Sequence, residues 1–294
     1  MNVHKENASD RQTGQICDFG GYRYCEILDA QLHISIDHDV DLLISSMNAL
    51  GIRSALLDEL WGFDENGEPL PYARLGNGVS RPQSALALAA SLRYPDRFSF
   101  MQRVNRQDPQ LTELIAILAC TLSCRALRVA LLTDNERKCF ANGDWDNVLE
   151  LAQCYELPVC IYTSEAGALL PPSVNKFAGL QFIVDHCGKP RNSEQWESVL
   201  GLARFPNVGL KWSHANRAFR RFSNPLETQY REFIRAVDAF SPTRVLWASD
   251  ASHDDSNSTW RELLAFVQDN TALSVGDREW VLGRSARQMF HWDV

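Results

Sequence analysis

Short apolar runs alternate with stretches of helical spacing along most of this chain. Near the start, Glu26–Ile34 reads EILDAQLHI, with Asp29, Gln31 and His33 at a spacing of two. Side chains alternate faces along a strand, so this spacing predicts three polar groups on one face towards the strand's C-terminal end. Asp39–Leu50 carries apolar residues at 40, 42, 43, 47 and 50, which predicts a helix capped by Asp39 and ended by Gly51. Further strands are predicted over 52–57, 97–104, 126–132, 158–162, 180–184, 208–210 and 244–248. Helices are predicted over 81–94, 109–123, 144–155, 193–203 and 225–240, and two more, near 258–269 and 275–290, close the chain. Between Gly62 and Ser80 lies a polar, Gly- and Pro-rich stretch read as a long loop, a length that usually means function. It is expected to cover a pocket or to serve an oligomer interface.

Strands each followed by helical material, over about 270 residues, predict a parallel α/β fold, a closed (β/α)8 TIM barrel. An open doubly wound sheet is the alternative, but no Gly-rich phosphate turn follows the first strand. Residues 1–22 are polar and are expected to be a disordered extension, with 23–294 forming one barrel domain.

Composition narrows the partners. The 294 residues are 45% hydrophobic and 22% charged, with a net charge of −8, which argues against a nucleic-acid surface. No apolar run is long enough to span a bilayer, and the first twenty residues lack the apolar core of a signal peptide. Most of the eight cysteines, such as Cys120 in AILACTL and Cys160 in PVCIY, lie in apolar segments, which predicts buried free thiols in a reducing cytoplasm. The Cys120–Cys124 spacing has no matching second pair, so it makes a weak zinc motif.

In such a barrel the chemistry sits at the C-terminal strand ends. Those ends hold Gln31, His33, Glu59, Arg103, Arg128, Tyr162, His186, Lys211 and Asp250. Bases, hydrogen-bond donors and cations converging on one mouth suit hydrolysis or decarboxylation of an anionic carbonyl compound. Plainer readings stand beside this one. Asp250 could cap the following segment, His186 could be a satisfied core histidine, and Arg103 and Arg217 could be solvated. Glu59 reads as loop surface, and His38, His214 and His253 fall in loops near the mouth without rank.

The phrases LDAQLHI, FIVDHCGKP, NVGLKWS, RVLWASD and GRSARQMF resemble the amidohydrolase superfamily, in its amidohydrolase-related branch. That branch includes dicarboxypyrone and sugar lactonases and some aromatic-acid decarboxylases. The resemblance implies metal ligands at the positions of Gln31, His33, Tyr162 or Thr163, and Asp250, and two of those four depart from it. Gln is a poor ligand and Tyr an uncommon one, so no cofactor is expected. A divalent metal such as zinc, held by His33, His186 and Asp250, is the alternative.

The resemblance therefore implies a cytoplasmic hydrolase opening a lactone or related cyclic ester that bears an anionic group. Asp250 would be the base for water, and His33 and His186 would polarise the carbonyl. Gln31, Tyr162, Arg128, Arg103 and Lys211 would bind substrate. The alternatives are a metal-dependent decarboxylase of an unsaturated or aromatic acid, and a catalytically lapsed barrel that only binds a ligand. The expected partner is a small anionic molecule, with no nucleic acid and no membrane; a homo-oligomer is open.

Overall fold

The computed structural model describes residues 26–220, 222, 225–251 and 258–292. Eight parallel strands run in the order of the sequence: β1 Ile27–Ile34, β2 Ile52–Glu59, β3 Phe98–Arg103, β4 Cys124–Ala130, β5 Val159–Tyr162, β6 Phe182–Val184, β7 Val208–Trp212 and β8 Val245–Trp247. With helices between them they form the expected (β/α)8 barrel. The interior is filled by Leu28, Ala30, Leu56, Met101, Ala126, Cys160, Ile183 and Leu246, and its lower end is plugged by Met289, Phe290 and Trp292. A larger apolar layer, including Phe98, Trp196, Phe233 and Trp247, lies between the sheet and the helices. Each such side chain stabilises by about 1.5–3 kcal/mol through burial. Both faces of β1 are buried along its whole length, its polar Asp29, Gln31 and His33 included.

Local signals worked where a cap was present. Asp39 accepts from the backbone N–H groups of Asp41 (2.8 Å) and Leu42 (3.2 Å), and Gly51 ends the helix in the left-handed region at φ 73°. Other expectations are corrected. β2 runs to Glu59, so Asp58 and Glu59 are strand residues. Glu59 is buried rather than loop surface, and its carboxylate accepts from Leu86 N (2.7 Å) and Ala87 N (3.0 Å) at the start of the next helix. The polar stretch after β2 is not irregular. It pairs Gly62–Phe63 with Pro69–Leu70 and Tyr72–Arg74 with Ser80–Pro82 as antiparallel hairpins. An unexpected helix, Asp134–Ala141, is capped by Thr133, and its only buried residue is Phe140, too little apolar pattern to read. Cys124, Cys160 and Cys187 are buried, whereas Cys120 and Cys154 are exposed, against the expectation for Cys120. The N-terminal extension lies outside the described residues, and no helix among those described is long and apolar enough to cross a membrane.

The described ladders join β1 to β2 and so on round to β8, but none joins β8 back to β1. That seam is closed by individual bonds: Asp250 N–H donates to Gln31 O (3.0 Å), and Ser249 N–H donates to Asp29 Oδ1 (2.8 Å). Close by, the helical turn at Gly283 lies flat against the entry to β1; a Cβ there would sit 2.0 Å from Glu26 O. Gly283→Ala is therefore expected to destabilise the fold by about 1–3 kcal/mol, the usual cost of overpacking a rigid contact. A urea midpoint unchanged from the parent would contradict this.

Candidate active site

A bulge in β1 breaks the alternation predicted for its polar residues. Between Asp29 and Leu32 the register against β2 slips by one residue, so the three groups diverge instead of sharing a face. Asp29 turns to the seam, where it accepts from Ser249 and from Trp260 Nε1 (2.9 Å). Gln31 turns down to Lys211, whose Nζ lies 2.9 Å from Gln31 Oε1. His33 faces Asp250, with Nε2 2.9 Å from Oδ1.

Below the mouth lies a sealed ion-pair network. Asp58 binds Arg103 Nη2 at 2.7 Å, Arg128, and His33 Nδ1 at 3.2 Å. Burial alone would raise the Asp58 pKa, but the two guanidinium groups hold it well below the usual carboxylate range. Asp185 binds Arg128 Nε at 3.0 Å and Lys211 Nζ at 3.0 Å. Lys211 is 0% exposed, so the structure gives it to the interior rather than to a substrate. Arg103 and Arg128 still reach a cavity wall, and with Lys211 they set three positive charges against the two carboxylates of Asp58 and Asp185.

Above this network the histidines gather on Asp250. His214 Nε2 is 2.6 Å from Asp250 Oδ2, His186 Nδ1 is 3.8 Å from the same oxygen, and the two rings stack at 4.6 Å. Burial would raise the Asp250 pKa, but His33, His214 and His186 hold it well below its ordinary value, so the carboxylate is ionised at neutral pH. Burial depresses the His186 pKa strongly, leaving a neutral ring. Arg128 Nη2 lies 3.3 Å from its Nε2, and Ser213 Oγ lies 2.9 Å from its Nδ1. An arginine can only donate, which assigns the ring proton to Nδ1.

Two features mark this cluster as built for a ligand. His186, Cys187, Lys189, His214 and Asp250 all hold left-handed backbone (φ 46–54°), a cost of about 1–3 kcal/mol each that clusters at functional sites. The buried atoms Gln31 Nε2, His214 Nε2 and Asp250 Oδ1 lack a partner with hydrogen-bond geometry. The last two lie within ion-pair distance of a neighbour but off its axis. Orphaned polar atoms at one mouth are where a water, substrate or ion belongs.

The ligand atoms of His186, His214 and Asp250 lie within 4.8 Å of one another. Two imidazoles and a carboxylate are a donor set that fits zinc or manganese. His214 takes the place expected of His33 in that trio. Such an ion would supply Lewis acidity and a more acidic bound water.

Cavities flank the centre. One of about 390 Å³ is lined by Tyr162, Ser164, Lys189 and His214 among others, and Lys189 Nζ donates to the Tyr162 hydroxyl. Another of about 370 Å³ lies beneath the post-β2 hairpins, walled by Tyr72, Ser80, Arg103, Arg128 and Trp145. The Gly- and Pro-rich stretch thus does wall a pocket. Reading strand ends missed Asp58 and Asp185, although both follow apolar runs as Asp250 does. Nothing local singled out His214 or Ser213. His253 lies outside the described residues.

Asp29 carries a measurable pH signature. Burial pushes its carboxyl up to about 6, against the lowering effect of its Ser249, Gln31 and Trp260 bonds. A raised folded pKa means this group's contribution to stability is full below the unfolded value near 4 and is lost as the pH rises through about 6. The change approaches about 3 kcal/mol. Asp29→Asn removes the titration, so the stability gap between variant and parent should narrow or reverse between pH 4.5 and 7. Equal gaps in urea melts at the two pH values would refute the assignment.

Among solved structures, the chain is similar to an amidohydrolase from Burkholderia multivorans with bound HEPES. The identity is 18%, the match covers 90% of this chain and 99% of that one, and the TM-score is 0.74. It is also similar to a Pseudomonas putida protein whose assignment as a 2-pyrone-4,6-dicarboxylic acid hydrolase is provisional (17%, 92% and 99%, TM-score 0.68). A third is a dihydroxybenzoic acid decarboxylase from Polaromonas with bound manganese (14%, 91% and 97%, TM-score 0.63). At these identities the likeness shows the fold alone. No curated protein matches the chain. The amidohydrolase family model matches residues 73–292, well over half of the chain, which takes in β3 to β8 with His186, His214 and Asp250; this chain belongs to the amidohydrolase family.

Proposed function

We propose that this protein is a hydrolase opening a lactone or related cyclic ester that carries an anionic group. The observation that carries the reading is Asp250: a fully buried carboxylate at the mouth, ringed by three imidazoles, with His33 at 2.9 Å and His214 at 2.6 Å. In this mechanism Asp250 takes a proton from water as the water oxygen attacks the carbonyl carbon. His33, with the unpartnered Gln31 amide, stabilises the tetrahedral oxyanion, while His186, whose Nδ1–H faces Ser213 and whose Nε2 accepts from Arg128, fixes the position of those groups. The acyl C–O bond then breaks, and the ring oxygen takes the proton held by Asp250, directly or relayed through Tyr162, giving a hydroxy acid and restoring the carboxylate. Arg128 and Arg103 hold Asp58 and Asp185 in place beneath the carbonyl site. Kinship with a family that includes hydrolases of this kind supports the reading.

A metal-dependent reaction, hydrolytic or decarboxylating, is the second reading, favoured by the His186–His214–Asp250 donor trio. Metal content of protein purified without chelator, with carboxylated lactones assayed before and after chelation, decides between them. Lactone opening that survives chelation is the expected result. Stoichiometric zinc or manganese, with activity lost on its removal, would replace the first reading by the second.

A further inference from the structure

Arg103, Arg128 and Lys211 are already paired with Asp58 and Asp185, with one positive charge in excess, so a substrate group of higher charge needs further partners. The 390 Å³ cavity beside His214 supplies them. Arg137, Lys189, Arg191, Arg217 and Arg220 all line it, with the Tyr162 and Ser164 hydroxyls, and among the described residues no acidic side chain lines it. Arg137 is partly offset by Asp134 and by Glu165 at 3.9 Å. Among the described residues no ion pair engages Arg191 or Arg220, while Lys189 spends one bond on Tyr162.

A lone carboxylate is satisfied by one guanidinium fork. Lys189, Arg191 and Arg220, with no carboxylate partner among the described residues, stand around one small cavity and repel one another, and a group of charge near −2 with three acceptor oxygens relieves that repulsion better. The cavity lies within the size range of small-metabolite sites. It also shares Tyr162 and His214 with the reaction centre, so an anion seated there places the rest of the molecule against Asp250.

We infer that this lobe binds a phosphate monoester, and that the substrate is a phosphorylated lactone whose ester is opened at Asp250. The inference rests on the hydrolase reading for its second half only. Water adds across the acyl C–O bond, the carbonyl carbon gains the hydroxyl, the ring oxygen gains the proton, and the phosphate passes through unchanged.

The test is calorimetric titration of the full chain with inorganic phosphate, 6-phosphogluconate as a ring-opened product analogue, gluconate and tricarballylate. 6-Phosphogluconate is expected to bind at least about tenfold more tightly than gluconate or tricarballylate, with inorganic phosphate competing. Arg191→Gln and Arg220→Gln, both at exposed positions, should each weaken it by about tenfold, the loss of one charge-assisted contact. Tricarballylate binding as tightly as 6-phosphogluconate would overturn the assignment in favour of a polycarboxylate. Absence of phosphate binding, or binding unmoved in both variants, would overturn it outright. Phosphorylated and plain sugar lactones are assayed alongside. Phosphate binding without lactone turnover would sink the hydrolase reading and leave the lobe standing. Turnover without preference for the phosphorylated substrate would do the reverse.

Discussion

Asp250→Asn is expected to lower turnover by about 10³-fold while the protein still folds and still binds its anionic ligand. Proton transfer by a placed base contributes about 10²–10⁴-fold, and asparagine keeps the shape of the side chain while removing that capacity. The carboxylate stands 2.9 Å from His33 and 2.6 Å from His214, whereas Asp58 and Asp185 are each held by two cations below the mouth, out of place to replace it. The anion lobe lies to one side and does not use Asp250 as a lining group. Single-turnover and steady-state kinetics, with a titration of the ligand, separate the outcomes. Residual activity within a factor of a few would move the base elsewhere, with an imidazole first in line. Loss of binding together with turnover would mean that Asp250 organises the site rather than driving the reaction.

Arg128→Leu should be the most damaging single change to stability. The guanidinium bridges Asp58 and Asp185 and reaches His186 Nε2, and all of these groups are buried. Breaking a buried pair strands the partner charge at about 3–5 kcal/mol. We place the cost near the lower end, about 3 kcal/mol, because Asp58 keeps Arg103 and Asp185 keeps Lys211. The melting temperature should fall by roughly 5–10 °C. Adding Asp58→Asn to the variant should recover part of the loss, since it removes one stranded charge. A loss below about 1 kcal/mol, or no recovery in the double variant, would show that the network is not the buried ion-pair system described above.

Much of the fold could be read from the chain alone. Apolar runs and helical spacing give eight strands in the right order, because each strand buries most of both faces and so carries a run of apolar residues. The strand-end rule then found Gln31, His33, Arg103, Arg128, Tyr162, His186, Lys211 and Asp250 without contacts in hand. It could not tell which of them face the cavities. Lys211 and Gln31 bond to each other below the mouth, and their sequence separation hides that. The bulge that parts Asp29 from His33 is equally silent, since it depends on register against β2. His214 has no apolar run to announce it; it is carried to Asp250 by a left-handed turn after β7.

The sequence by itself determined the barrel, the family resemblance and the ionisable groups at its mouth, because periodicity and strand ends are local properties. The tertiary structure decided the pairing of charges. Which cation neutralises which carboxylate depends on distances of a few ångströms between strands far apart in the chain. Those distances pair Arg103, Arg128 and Lys211 with Asp58 and Asp185, and leave Asp250 among imidazoles rather than guanidinium groups.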